Sequence, residues 1–261
     1  MEASATIGRG PTTQEEPATV LDAYRTPWTD VAAHLSRPAS VAILPFGALE
    51  QHGPHLPLGT DTATAAEVAH RLAERLDAVL LPPVHYGDTW NNAGYPGTVS
   101  LSTATVVAIA TDLGRSAAAA GATRFIVVNG DWGNRLPLAQ AMRALEAEGV
   151  VRAIALDYPG MDAAIEAVRE SRPAAPGLNH AEEAETSIML AIDPTVVRLD
   201  RAAPEYPSFP SDFGTRPMQL HRFSASGVFG DPAPATAAKG EHIIAATVES
   251  SLAVLADFMA E

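Results

Sequence analysis

The 261-residue chain has no cysteine. That excludes disulfides and thiolate metal sites and leaves oxygen and imidazole as its metal donors. It has a single lysine, Lys239, so a P-loop or a Schiff-base mechanism has almost nothing to build on. No uninterrupted apolar run reaches the roughly 18 residues of a membrane span. The amino terminus lacks the basic and apolar regions of a signal peptide, which sets cytoplasmic as the expected location. Basic residues are outnumbered: 17 Lys and Arg against 31 Asp and Glu give a formal charge of −14. Such an excess argues against nucleic acid and anionic membranes as partners. What is present is ordinary for a folded protein, 47% hydrophobic and 18% charged residues, enough for one large domain.

Residues 1–18 are rich in Gly, Pro, Ser, Thr and Glu without periodicity and read as a disordered arm. From 19 to 261 short apolar runs alternate with helical patterns. Strands are expected at 41–47, 78–84, 124–129 and 151–157, and helices at 61–76, 103–120 and 135–148. Ser102 is placed to cap the second helix, and Gly121 and Gly149 to stop the second and third. Continuous apolar strands between helices predict a single three-layer α/β/α domain with a mostly parallel sheet.

The densest chemistry lies in 50–61, where Glu50, His52, His55 and Asp61 follow the first expected strand. Carboxylates and imidazoles crowded at the end of a buried strand are costly unless they bind something, and a divalent metal is the usual answer. Thr60 or Asp61 capping the next helix is the competing reading. In a parallel sheet, ligands bind beyond the carboxyl ends of the strands. The loops 85–92 and 129–134, with Trp90, Asn92, Gly130, Asp131, Trp132 and Gly133, fall at that edge too. A last group opens the apolar run at 188–192. If 180–187 is helical, His180 and Glu183 lie at i and i+3 on one face and Glu182 points to solvent. A Glu and a His at that spacing are a recurrent way to present metal ligands.

The segments 50–61, 95–101, 129–134 and 180–187 resemble the creatininase family, as do 226–232, 235–237 and Gly240. They occur in order from about residue 40 to the carboxyl terminus. The family comprises two-metal hydrolases of non-peptide or unusual amide bonds: creatinine amidohydrolases, formamide hydrolases and a peptidase that trims the precursor of a ribosomal peptide cofactor. The resemblance implies Glu50, His52, Asp61, Asp131 and Glu183 as ligands, Asp61 bridging two divalent ions per subunit. Manganese or zinc is expected, with magnesium and iron as further candidates. It also implies His180 as proton carrier beside Glu183. The reaction would be hydrolysis of a small cyclic, formamide-like or terminal peptide amide through a metal-bridged water. Trp90, Asn92, Tyr95 and Trp132 are expected to line the substrate pocket, helped by backbone amides at Gly130 and Gly133. A homo-oligomer, often a hexamer in the family, completes the expectation.

Two positions depart from the family pattern. The 129–134 turn usually carries a histidine where this chain has Asp131, and the loop before Tyr95 usually carries Glu-His where this chain has Asn91-Asn92. Four carboxylates would balance the four positive charges of two divalent ions, and a neutral cluster favours harder ions, manganese or magnesium over zinc. The same departures motivate two alternatives. One is an altered reaction, lactone hydrolysis or an amide-forming or rearranging step in natural-product metabolism. The other is a metal-poor binding protein.

Overall fold

The structure is a computed structural model that describes residues 20–260. The arm expected over 1–18 lies outside the described residues. In chain order the elements are β1 (Leu21–Asp22), α1 (Trp28–Leu35), β2 (Val41–Phe46), α2 (Thr60–Leu76) and β3 (Val79–Leu80). They continue with α3 (Thr103–Ala119), β4 (Arg124–Asn129), α4 (Arg135–Glu148), β5 (Arg152–Leu156), α5 (Met161–Val168), α6 (Glu183–Ile192) and α7 (Ala237–Ala260).

The strands form one sheet in the order β1-β3-β2-β4-β5, with every pairing parallel. Successive residues of a strand face opposite sides, and both sides are covered. Val41 and Ile43 of β2 join Ile126 and Val128 of β4 in a core with α2, α6 and α7. Ala42, Leu44 and Phe46 join Phe125 and Val127 in a second core with α3 and α4. Burial of side chains such as Ile43 or Phe125, at 0% exposure, contributes roughly 1.5–3 kcal/mol each.

The β3 strand is far shorter than the run 78–84 that announces it. Pro82 and Pro83 have no N–H to give a neighbouring strand, so pairing lapses until a single bridge joins Phe46 to Val84. Helix boundaries follow the expected signals: Ser102 Oγ accepts the Thr105 amide at 3.3 Å, and Gly149 closes α4 in the left-handed conformation. By length and composition α7 alone among the described helices is apolar enough to cross a membrane. Here it is a core helix: Ile243, Ile244, Val248 and Leu255 are buried. Its Glu241 and Glu249 each pair with an arginine of α2, Arg71 and Arg75, at 2.6 Å.

Candidate metal centre

Glu50 and His52 leave the carboxyl end of β2 and Asp61 opens α2. The Glu50 amide donates to the Leu58 carbonyl at 3.0 Å, closing the intervening loop. Asp61 makes no capping bond, and Thr60 Oγ1 donates to the Pro57 carbonyl at 2.8 Å. Capping therefore does not account for either residue. His52 is fully buried. Its Nδ1 lies 3.1 Å from the Glu50 carbonyl oxygen, an acceptor only, so Nδ1 carries a proton and Nε2 is the nitrogen turned to the cluster. Around Nε2 stand Asp61 Oδ1 at 3.1 Å, Glu185 Oε2 at 3.7 Å and Glu50 Oε1 at 4.0 Å.

Asp131 joins from the turn after β4. Ligand atoms of Glu50, Asp61 and Asp131 lie within 4.8 Å of one another, and so do those of His52, Asp61 and Glu185. Asp61 belongs to both triads. A third grouping adds His180 to Glu50 and His52. Four of these residues carry a buried polar atom without a hydrogen-bond partner: Glu50 Oε2, His52 Nε2, Asp61 Oδ2 and Asp131 Oδ2. Buried polar atoms are almost always satisfied, and an oxygen–imidazole donor set of this kind is what a divalent ion takes up. The residues fit a metal.

The electrostatics agree. Burial first, then the charges of Asp131 and Asp61, push the Glu50 carboxyl well above its ordinary range. Burial and Asp61 do the same to Asp131. Glu185 is pushed up to about 7, chiefly by burial, with Asp61 adding to it. Burial pulls the His52 imidazole down, but Asp61, Glu185 and Glu50 outweigh it and hold it well above its usual value. The site attracts positive charge, and a divalent cation relieves all four strains together.

His180 reaches the cluster from a two-residue bridge with Phe229. Its Nδ1 is 3.7 Å from Glu50 Oε1, and its Nε2 is held between the Gln51 carbonyl at 2.9 Å and the Gln51 side-chain nitrogen at 2.7 Å. Burial, with His52 adding to it, holds His180 well below its ordinary value, as a neutral imidazole.

Glu183 is elsewhere. Its carboxylate takes the Lys239 ammonium at 2.6 Å and the amides of Glu170 and Ser171. A shared face for His180 and Glu183 requires a helix through His180, whereas the backbone turns at Ala181 with φ 52° and α6 begins only at Glu183. Two residues further on, Glu185 is the α6 carboxylate that reaches His52. Three glutamates within four positions, 182 to 185, made the spacing ambiguous, and the turn at Ala181 decided it. Glu182, expected in solvent, is buried and caps α6 by accepting the Ala184 amide at 3.0 Å.

The centre opens into a cavity of about 770 Å³ walled by Trp90, Trp132, Tyr158, Phe213 and Met218. Trp90 and Trp132, expected at a substrate pocket, both stand on this wall. Asn92 is buried and accepts from Gln51 Nε2 at 3.0 Å, fixing the residue that holds His180. Tyr95 does not line the cavity: its hydroxyl donates to the Ser224 carbonyl at 2.8 Å, tying two loops together. The two glycine amides are not free for a substrate. Gly130 N–H donates to the Phe46 carbonyl at 2.8 Å, and the Gly133 amide faces the Asp131 carboxylate. Both glycines serve close approach instead. A Cβ at Gly130 would lie 2.4 Å from the Asp61 carbonyl, and one at Gly133 1.8 Å from that of Asp88. His55, in the same motif, bonds to Thr186 Oγ1 at 2.9 Å as a structural contact.

Fold and cluster define a three-layer α/β protein with a carboxylate–imidazole cluster fit for a metal at the carboxyl edge of its sheet. Comparison with known proteins carries the assignment further. A family model described as creatininase, creatinine amidohydrolase, matches residues 25–255, and the chain belongs to that family of hydrolases. The mycofactocin precursor peptide peptidase of Mycolicibacterium smegmatis is 36% identical over 232 residues, 84% of this chain and 86% of that protein. The creatinine amidohydrolase of Pseudomonas putida is 30% identical over 236 residues, 85% and 91% of the two chains. Two solved structures, "Creatininase Mn" and a mutant creatininase of Zn-Zn type, superpose with TM-scores of 0.82 and 0.81. Each is 28% identical and covers 92% of this chain and 99% of its own.

Proposed function

We propose that this protein is an amidohydrolase dependent on two divalent ions, one held by Glu50, Asp61 and Asp131 and the other by His52, Asp61 and Glu185. The observation that carries this reading is Asp61, whose carboxylate is common to both triads. Bound there, the ions supply Lewis-acid polarisation of an amide carbonyl and lower the pKa of the attacking water.

The chain's own residues do the rest. His180 presents Nδ1 to the cluster while Gln51 fixes the ring from the other side, so a neutral imidazole is positioned to take a proton and return it to the leaving nitrogen. Trp90 and Trp132 offer apolar surface to a substrate and displace water around it. A cavity of about 770 Å³ is of the size that encloses drug-sized ligands, which favours a terminal peptide amide over a single small ring such as creatinine. Exposed Tyr24 and Trp28 at the β1 edge, 82% and 79% accessible, support a homo-oligomer, to be read by sedimentation; a monomer at all concentrations would contradict it.

Manganese-loaded protein assayed against short peptides, formamides and creatinine tests the activity. Hydrolysis that chelation abolishes and manganese restores is the expected result. Fully loaded protein that cleaves none of them would remove the reading.

A further inference from the structure

After β5 the chain leaves the sheet through Asp157, Tyr158, Pro159 and Gly160. Tyr158 has φ 46°, a left-handed conformation that a bulky residue rarely adopts and that a following proline disfavours further. Such strain persists where the surroundings over-determine it, and functional sites are where it collects. The Met161 amide closes the turn onto the Tyr158 carbonyl at 3.1 Å.

The Tyr158 hydroxyl is buried and has no hydrogen-bond partner, an arrangement that costs stability. Among the described residues, four combine a partnerless buried polar atom with a place on the cavity wall: Glu50, Asp61, Asp131 and Tyr158. Three are carboxylates, which only accept when ionised. Tyr158 supplies the donor. A phenol is protonated at neutral pH and so can donate there. Several neighbouring donors are already engaged. Gly130 N–H serves the Phe46 carbonyl, and Asn134 Nδ2 the Gly47 carbonyl at 3.0 Å. Asn129 Nδ2 serves Asp131 O and Asp157 Oδ1, and Arg135 pairs with Asp157 at 2.6 Å.

We propose that Tyr158 is a catalytic residue whose hydroxyl donates a hydrogen bond to the scissile carbonyl oxygen as negative charge develops there. The proton stays on the phenol throughout, so no bond to Tyr158 forms or breaks. The proposal rests on the amidohydrolase reading above. A preorganised neutral donor aimed at developing charge acts on the transition state more than on the bound substrate.

The test is Tyr158→Phe in the manganese-loaded full chain, with the peptide amide that wild type cleaves fastest. Loss of one such donor predicts a fall of about 10²-fold in kcat, with KM, manganese content and Tm nearly unchanged. A phosphinate analogue of the same peptide, which carries the oxyanion, should lose affinity in the variant by a comparable factor, while the carboxylate product binds as before. Equal kcat in variant and wild type overturns the proposal, as does a rise in KM alone. Loss of manganese also overturns it, since Tyr158 would then be a ligand. If wild type cleaves no amide and binds no phosphinate, the hydrolase reading fails and takes this role with it. Turnover by wild type that the variant matches sinks Tyr158 alone.

Discussion

Asp131 brings a fourth carboxylate to a cluster that already holds Glu50, Asp61 and Glu185, and its consequence is a charge count. Four negative charges would cancel the two proposed divalent ions, which favours harder metals. Asp131→His removes one charge and adds a nitrogen donor, so it should move selectivity toward zinc. Competitive loading with equal manganese and zinc, read as bound metal, checks this; a variant with unchanged selectivity contradicts it. Glu185 and Glu183 make a sharper pair. Glu185→Gln should weaken metal binding by at least about 10-fold, while Glu183→Gln should leave metal content intact, and the reverse outcome would restore the i, i+3 reading. At this scale the sequence brings Glu50, His52, Asp61 and Asp131 to one edge, as the structure does, because each lies beyond the end of a strand whose apolar run is plain. Glu185 escapes it, since a left-handed Ala181 breaks the helical spacing and no composition signal marks that break.

The start of α6 is anchored by an ion pair: Glu183 accepts Lys239 of α7 and two amides from the preceding loop. Burial pushes the Glu183 carboxyl up, but Lys239 and the Ser171 and Glu170 amides outweigh it, and the net shift is downward from the ordinary 4.5. A depressed carboxyl contributes stability that is present above 4.5 and lost as pH falls through the folded value. Wild type should therefore lose stability on acidification below about 4.5 more steeply than Glu183→Gln. Near neutrality the variant should be less stable by on the order of 2–4 kcal/mol, measured by urea unfolding across pH. Parallel slopes would show that the pair contributes nothing. Elements with uninterrupted apolar runs, β2 and β4, are legible almost to the residue. β3 is not, because two prolines end its pairing while leaving its hydrophobicity untouched.

As a whole the molecule is a parallel sheet whose carboxyl edge gathers loops from four strands. Alternation of strand and helix announces that architecture. The cavity is less legible: part of its wall, including Phe213 and Met218, comes from an irregular segment with no periodicity, whose path is set by contacts such as Tyr95 with Ser224 and Glu205 with Ser224 and Ser226. Size and shape of the cavity are thus properties of tertiary contacts that no local pattern encodes. The most direct test of the central claim is anomalous diffraction at the manganese edge from manganese-loaded crystals. Two peaks flanking the Asp61 carboxylate are predicted, one beside Glu50 and Asp131 and one beside His52 and Glu185. A single peak, none, or a peak beside Glu183 would contradict it.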